Sequence, residues 1–207
     1  MDGPVKLLQQ LRKRVQSVTY GSPIYRLMLD QGPVPDRLRL SITDPWPGDA
    51  KAGKSLIASQ PGLFEPYEDL SPNYKKSLLT HAWLRDLRAV GSDMARRKAV
   101  VLIQDWMEEQ ERWDEESWAP EILGARLANW ISFYDFYSTQ APRDWDQILI
   151  ISMVRQLRHL IHVAPTALYG TDRLNVIKGL IYGGLGLIEG EKALGLGLEL
   201  LHRQLEE

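Results

Sequence analysis

The segment GDAKAGKS at 48–55 has the spacing of a phosphate-binding loop, with Gly48 and Gly53 followed by Lys54 and Ser55. In such a loop the glycines let backbone N–H groups wrap the phosphates, while the lysine and the hydroxyl meet the β/γ-phosphates and magnesium. That chemistry needs a buried strand running into the first glycine and a full helix behind the last one. Here the nearest strand candidate, RLRLSI at 37–42, carries Arg37 and Arg39 and is cut off from Gly48 by DPWP at 44–47. The helix behind is spent by Pro61, and VVLIQD at 100–105, which could pose as a magnesium-binding strand, continues with helical spacing through Trp106 and Met107. No series of strands alternates with helices as a parallel sheet requires. Nucleotide binding is therefore the weaker reading, and no cofactor is expected.

Aromatic residues suggest a second chemistry. Trp106, Trp113, Trp118, Trp130, Phe133, Tyr134, Tyr137 and Trp145 fall within 40 residues. Flat rings can stack on the apolar faces of sugars while Arg126 or Asn129 holds carboxylates or hydroxyls, which would make a glycan cleft. Against this, Trp130, Phe133, Tyr134 and Tyr137 sit at i, i+3, i+4 and i+7, the spacing of a core-facing stripe. The stripe is the stronger reading for these four, which leaves Trp113 and Trp118, in WDEESW, as the expected exposed rings.

His159 and His162 lie three apart on a helical pattern and could reach one metal, but two ligands make no site without a third. Arg155 and Arg158 share their spacing, so a polar or basic helix face is expected there, and no metal. The acidic group Glu108, Glu109, Glu111, Asp114, Glu115 and Glu116 suits a solvated helix end and loop. No cysteine is present among the 207 residues, which excludes disulfides, thiolate metal sites and cysteine nucleophiles.

The elements that must position these residues are helices. At 207 residues, 44% apolar and 25% charged, the chain is long enough to bury a core. Its net charge of −2 leaves no general footprint for nucleic acid. The local basic cluster of Lys6, Arg12, Lys13 and Arg14 reads as a solvated helix face. The N-terminus lacks the apolar core of a signal peptide, and no apolar run reaches the roughly 18 residues of a span. Cytoplasm is the expected compartment, with the periplasm left open by the cysteine count.

Helices are predicted over 5–18, 24–29 and 49–58, then over 72–90, 93–112, 120–138, 143–163, 172–188 and 191–206, each bounded by proline, glycine or acidic breaks. RLRLSI at 37–42 suits a short edge strand, and 60–69 a loop. Residues 1–70 thus form a lead-in of short helices, a candidate strand and loops, and 71–207 a helical body. Short connections imply antiparallel neighbours. In the last pair, hinged at Glu189-Gly190-Glu191, Gly183, Gly184 and Gly186 fall inside a helix, where each costs about 1 kcal/mol relative to alanine. They suggest a helix pressed closely against a neighbour. The pair ends with no further helices to cover it, which suggests an array cut short and self-association through its apolar end.

Several phrases taken together, DPWPGD at 44–49, WLRDLR at 83–88, RLANW at 126–130, RHL at 158–160 and KGLIYGGL at 178–185, resemble the N-terminal helical part of bacterial heparinase II/III-like proteins. The resemblance implies an all-α fold, a partial (α/α) toroid of antiparallel helix pairs with a short irregular or β lead-in. It also implies relation to polysaccharide lyases, which cleave uronic-acid polymers by β-elimination, and so an acidic polysaccharide as partner. A donor must there neutralise the carboxylate while a base takes the adjacent proton. The lyases' asparagine–histidine pair aligns with Thr171 and Asp172, and Arg173 or Asn175 could stand in for it. Arg126, Asn129, Trp130, Arg173 and Asn175 are the expected substrate-binding residues. The family's Gly-Gly-His turn would follow Glu207, so this chain is expected to be inactive by itself. The alternative is a non-enzymatic helical module that binds a glycan or a protein.

Overall fold

The computed structural model describes residues 3–59, 71–109, 111–142, 144–166, 170–187 and 190–206. The loop expected at 60–69 and the hinge residue Glu189 lie outside them. Among the described residues every regular element is a helix. The lead-in holds α1 (Gly3–Tyr20), α2 (Pro23–Asp30) and α3 (Ala50–Ala58). The body holds α4 (Pro72–Leu79), α5 (Leu84–Val90), α6 (Asp93–Glu109), α7 (Pro120–Tyr137), α8 (Trp145–Val163), α9 (Thr171–Gly186) and α10 (Gly190–Glu206). The class is all-α, as the periodicity predicts. The finer expectation, a partial toroid, is not established by this packing. No described helix is long and apolar enough to cross a membrane.

Local chemistry sets most boundaries. Ser22 caps α2 by accepting the Tyr25 amide, with Pro23 at the first helical position. Pro72 and Pro120 likewise stand at the first turn of α4 and α7, there without a side-chain cap. Gly91 closes α5 in the left-handed conformation, φ 69°, that glycine adopts without strain.

α7 is the centre. Most of its residues from Ile122 to Phe133 are buried, with α9, α8 and α4 to α6 packed around it. A helix apolar on nearly all sides belongs in such a position. Its closest neighbour is α9: a Cβ built on Gly179 would stand 2.5 Å from the Gly124 Cα, so the two backbones touch. Close packing also explains Gly183 and Gly184, where an added Cβ would meet Leu157 Cδ1 at 2.5 Å and Leu194 N at 2.7 Å. Gly186 has ordinary clearance, its nearest neighbour at 3.5 Å.

Two expectations fail for physical reasons. The helix predicted over 72–90 breaks at 80–83, where His81 takes φ 54°. A break frees backbone carbonyls that need donors, and α7 supplies them: Arg126 NH1 donates to the Leu79 carbonyl at 3.1 Å and Asn129 Nδ2 to the Thr80 carbonyl at 2.8 Å. Trp130 Nε1 adds a bond to His81 Nδ1 at 2.8 Å. The edge strand predicted over 37–42 is irregular chain, bent at Arg37 and Arg39, without a ladder. Its backbone bond runs instead to a helix end, from the Arg39 amide to the Gly186 carbonyl at 2.9 Å. Val34, Leu38 and Ile42 pack on the core, while Leu40 between the last two stays exposed, so burial does not follow the alternation.

Candidate functional site

The loop between α2 and α3 ends in the sequence DPWPGD at 44–49, and several of its polar groups are engaged. Asp44 is buried; its Oδ1 accepts the Trp46 amide at 2.9 Å and its Oδ2 accepts Arg85 NH2 at 2.6 Å. Arg88 NH1 donates to the Asp44 carbonyl at 3.2 Å. Burial alone would raise the Asp44 pKa, but the Arg85 and Trp46 hydrogen bonds and the charges of Arg85 and Lys178 outweigh it and hold the carboxyl below its ordinary value.

Gly48 lies directly on α5, where a Cβ would stand 2.2 Å from the Arg85 carbonyl oxygen. The Asp49 amide donates to Asp86 Oδ1 at 2.8 Å. The loop is thus fixed by backbone contact and a buried carboxylate. At its tip Trp46, held between Pro45 and Pro47, remains 68% exposed.

This geometry also disposes of the phosphate loop. Asp49 caps α3, its carboxylate accepting the Lys51 amide at 2.7 Å and the Ala52 amide at 3.3 Å, so an anion already occupies the donors a phosphate would need. Gly53 is a buried helical residue against α5, where an added Cβ would stand 2.3 Å from the Asp86 carbonyl oxygen.

Beside Trp46 a groove of about 370 Å³ runs over Arg85 and Arg88. Arg85 also borders a second cleft, about 240 Å³, lined by Lys76, Thr80, Asn129, Asn175 and Lys178. Lys76 is paired with Asp172 at 2.8 Å and Arg85 with Asp44. Among the described residues no carboxylate bridges Lys178, whose ammonium lies 5.2 Å from the Tyr182 ring centre. Burial lowers the Lys178 pKa, the Asp44 charge opposes that, and the Arg85 charge adds to it. Three cations against two carboxylates leave the cleft with one positive charge, held by a half-buried side chain.

The expected substrate residues separate. Asn129 and Asn175 meet in this cleft, but Asn129 is committed through Nδ2 to the α4–α5 break. Arg126 and Trp130 are fully buried. The Arg126 guanidinium donates to Gln156 Oε1 and the Ser117 carbonyl, both at 2.9 Å, and covers the Trp106 ring at 4.1 Å. Arg173 is buried on α9. The sequence reading missed Trp46, Arg85 and Lys178. Its available signal was an indole locked between two prolines.

The basic α8 face holds the lead-in. Arg155 bridges Asp30 at 2.8 Å and Glu111 at 2.7 Å, and Arg158 NH1 donates to the Leu29 carbonyl at 2.8 Å. His159 Nδ1 accepts the Tyr25 hydroxyl at 2.7 Å; burial, the neighbouring His162 and Arg126 push its pKa down to about 3, so it is neutral. Trp118, expected to be exposed, is buried, and Trp113 is half-buried.

No family model matches the chain, and no solved structure matches it. It is similar to FtsZ-localized protein C of Caulobacter vibrioides (strain NA1000 / CB15N), with 29% identity over 204 residues. The match covers 93% of this chain and 35% of the relative, so the chain spans about a third of that protein's length. This overturns the heparinase II/III resemblance and the lyase and carbohydrate function drawn from it. The phrases that carried the resemblance have structural duties here: RLANW clamps the helix break, and DPWPGD and WLRDLR interlock.

Proposed function

We propose that this chain is a non-enzymatic helical docking module, that it binds a protein partner through the Trp46 face, and that the partner belongs to the FtsZ-linked cell-division machinery. One observation carries the reading: a network including a buried carboxylate and two arginines holds a largely exposed indole in a fixed position. Exposed aromatics beside arginines supply much of the energy of protein interfaces, and a preorganised loop lowers the entropy cost of binding. The adjoining cleft, with its surplus positive charge, suits an acidic stretch of the partner. Its lining groups bind anions, and the nucleophile–base pairing of covalent catalysis is not found among the lining residues described. The name of the Caulobacter relative, FtsZ-localized protein C, makes FtsZ the first partner to test.

The test is a titration of the fluorescently labelled chain with purified FtsZ of the same organism, read by anisotropy. Saturable binding that weakens as salt rises supports the proposal, since cleft electrostatics are screened over about 10 Å at 0.1 M salt. Absence of binding at low salt would overturn FtsZ as the direct partner.

A further inference from the structure

A separate cavity of about 380 Å³ lies where α2, α8 and the 111–118 loop meet. Its walls are aromatic: the Tyr20 ring lies 4.9 Å from Tyr25 and 5.7 Å from Trp113, and Trp118 closes another side, edge-on to His159 at 5.1 Å. Flat rings on several sides favour a flat ligand, and the volume is in the range of small-molecule sites, about 300–1,000 Å³.

Two polar features of the lining suit one kind of ligand. Trp118 is 4% exposed, yet its indole Nε1 has no hydrogen-bond partner. A buried donor left unpaired costs about 1–3 kcal/mol, which an acceptor in the cavity would recover. The second feature is charge. Arg26 and Arg155 share Glu111, at 3.3 and 2.7 Å, and Arg155 also holds Asp30 at 2.8 Å. Arg112, which also lines the cavity and is exposed, bridges no carboxylate among the described residues. Three arginines against two carboxylates leave room for one negative charge.

We propose that this cavity binds a planar aromatic monoanion: its ring lies against the cluster of Tyr20, Tyr25 and Trp113, and its carboxylate is shared by Arg112 and the Trp118 indole N–H. The site lies apart from Trp46 and does not depend on the docking proposal.

The probe is 2-naphthoate, titrated into the ¹⁵N-labelled chain while the tryptophan indole N–H resonances are followed by NMR, with Trp118→Phe assigning the signal. The expected result is a saturable shift of the Trp118 resonance. The uncharged 2-naphthamide and the exposed-site variant Arg112→Gln should each weaken binding about tenfold, the size of one lost charge-assisted hydrogen bond. No shift at millimolar naphthoate overturns the proposal. Equal binding of naphthamide, or by Arg112→Gln, also overturns it, because the cavity would then be taking up rings without reading charge. Arg112→Gln is placed on the surface, so loss of folding does not stand in for loss of binding.

Discussion

Two tryptophans show how differently this chain uses one residue type. Trp130, on α7, is fully buried and donates to His81, a residue 49 positions away. Trp46, between two prolines, is 68% exposed although its own amide is bonded to a buried carboxylate. In the first region the side chain is the structural part and the helix backbone satisfies itself. In the second the backbone is tied down and the side chain is left outside. The cations divide along the same line: Arg126 is enclosed by carbonyls, Gln156 and the Trp106 face, whereas Lys178 keeps its charge at a cleft. In these two comparisons the interior ring and charge are held by hydrogen bonds within the fold, whereas Trp46 and Lys178 are positioned by their surroundings and left available at the surface or a cleft.

The contrast can be broken most severely at α7. Arg126→Met removes donors from the Leu79 and Ser117 carbonyls and from Gln156, and should cost at least about 3 kcal/mol of stability, since each buried acceptor left unpaired costs about 1–3 kcal/mol. The urea midpoint should fall while the slope, set by the surface exposed on unfolding, holds. Next in size is Gly179→Ala. Its methyl would overlap Gly124 in the facing backbone, and overpacking of this kind costs about 1–3 kcal/mol. Thermal unfolding should register it as a clear drop in Tm.

The third effect is set by pH. His159 is neutral in the fold, its pKa depressed to about 3 by burial, His162 and Arg126, against about 6.5 in the unfolded chain. The unfolded state therefore takes up a proton first as pH falls. The stability this group contributes is fully present above pH 6.5 and is lost progressively between about 6.5 and 3. His81, lowered in the same direction by burial and by Arg126, adds to the loss. Urea midpoints measured from pH 7.5 down to about 4 should decline, and His159→Phe should flatten part of that decline. The smallest effect belongs to the other tryptophan: Trp46→Ala should change stability by no more than about 0.5 kcal/mol, as exposed substitutions usually do.

Much of the framework was legible because it is written locally. Ser22-Pro23, Asp49, Pro72 and Pro120 announce helix starts by their own chemistry, and the apolar stripes fall between them. The break at 80–83 was not legible, because the donors that stabilise it come from 126–130 on another helix. Alternation at 37–42 misled for a related reason: Leu38 and Ile42 pack on a core built from residues far along the chain, while Leu40 between them stays exposed. The cleft was only half visible. Asn129 and Asn175 were singled out, but Lys76 and Lys178 are about a hundred residues apart and only the fold brings them together. RLANW looked like a binding motif because arginine, asparagine and tryptophan suit a ligand; the same groups suit the open carbonyls of a broken helix.

The most direct test of the contrast is to titrate FtsZ into the native chain and into Trp46→Ala under identical salt, after checking that both unfold at the same urea concentration. An interface anchor is worth at least about 2 kcal/mol, so the variant should bind about 30-fold more weakly while folding as well as the native chain. Equal affinity in the two proteins would contradict the role given to Trp46 and leave its exposure without a purpose in FtsZ binding.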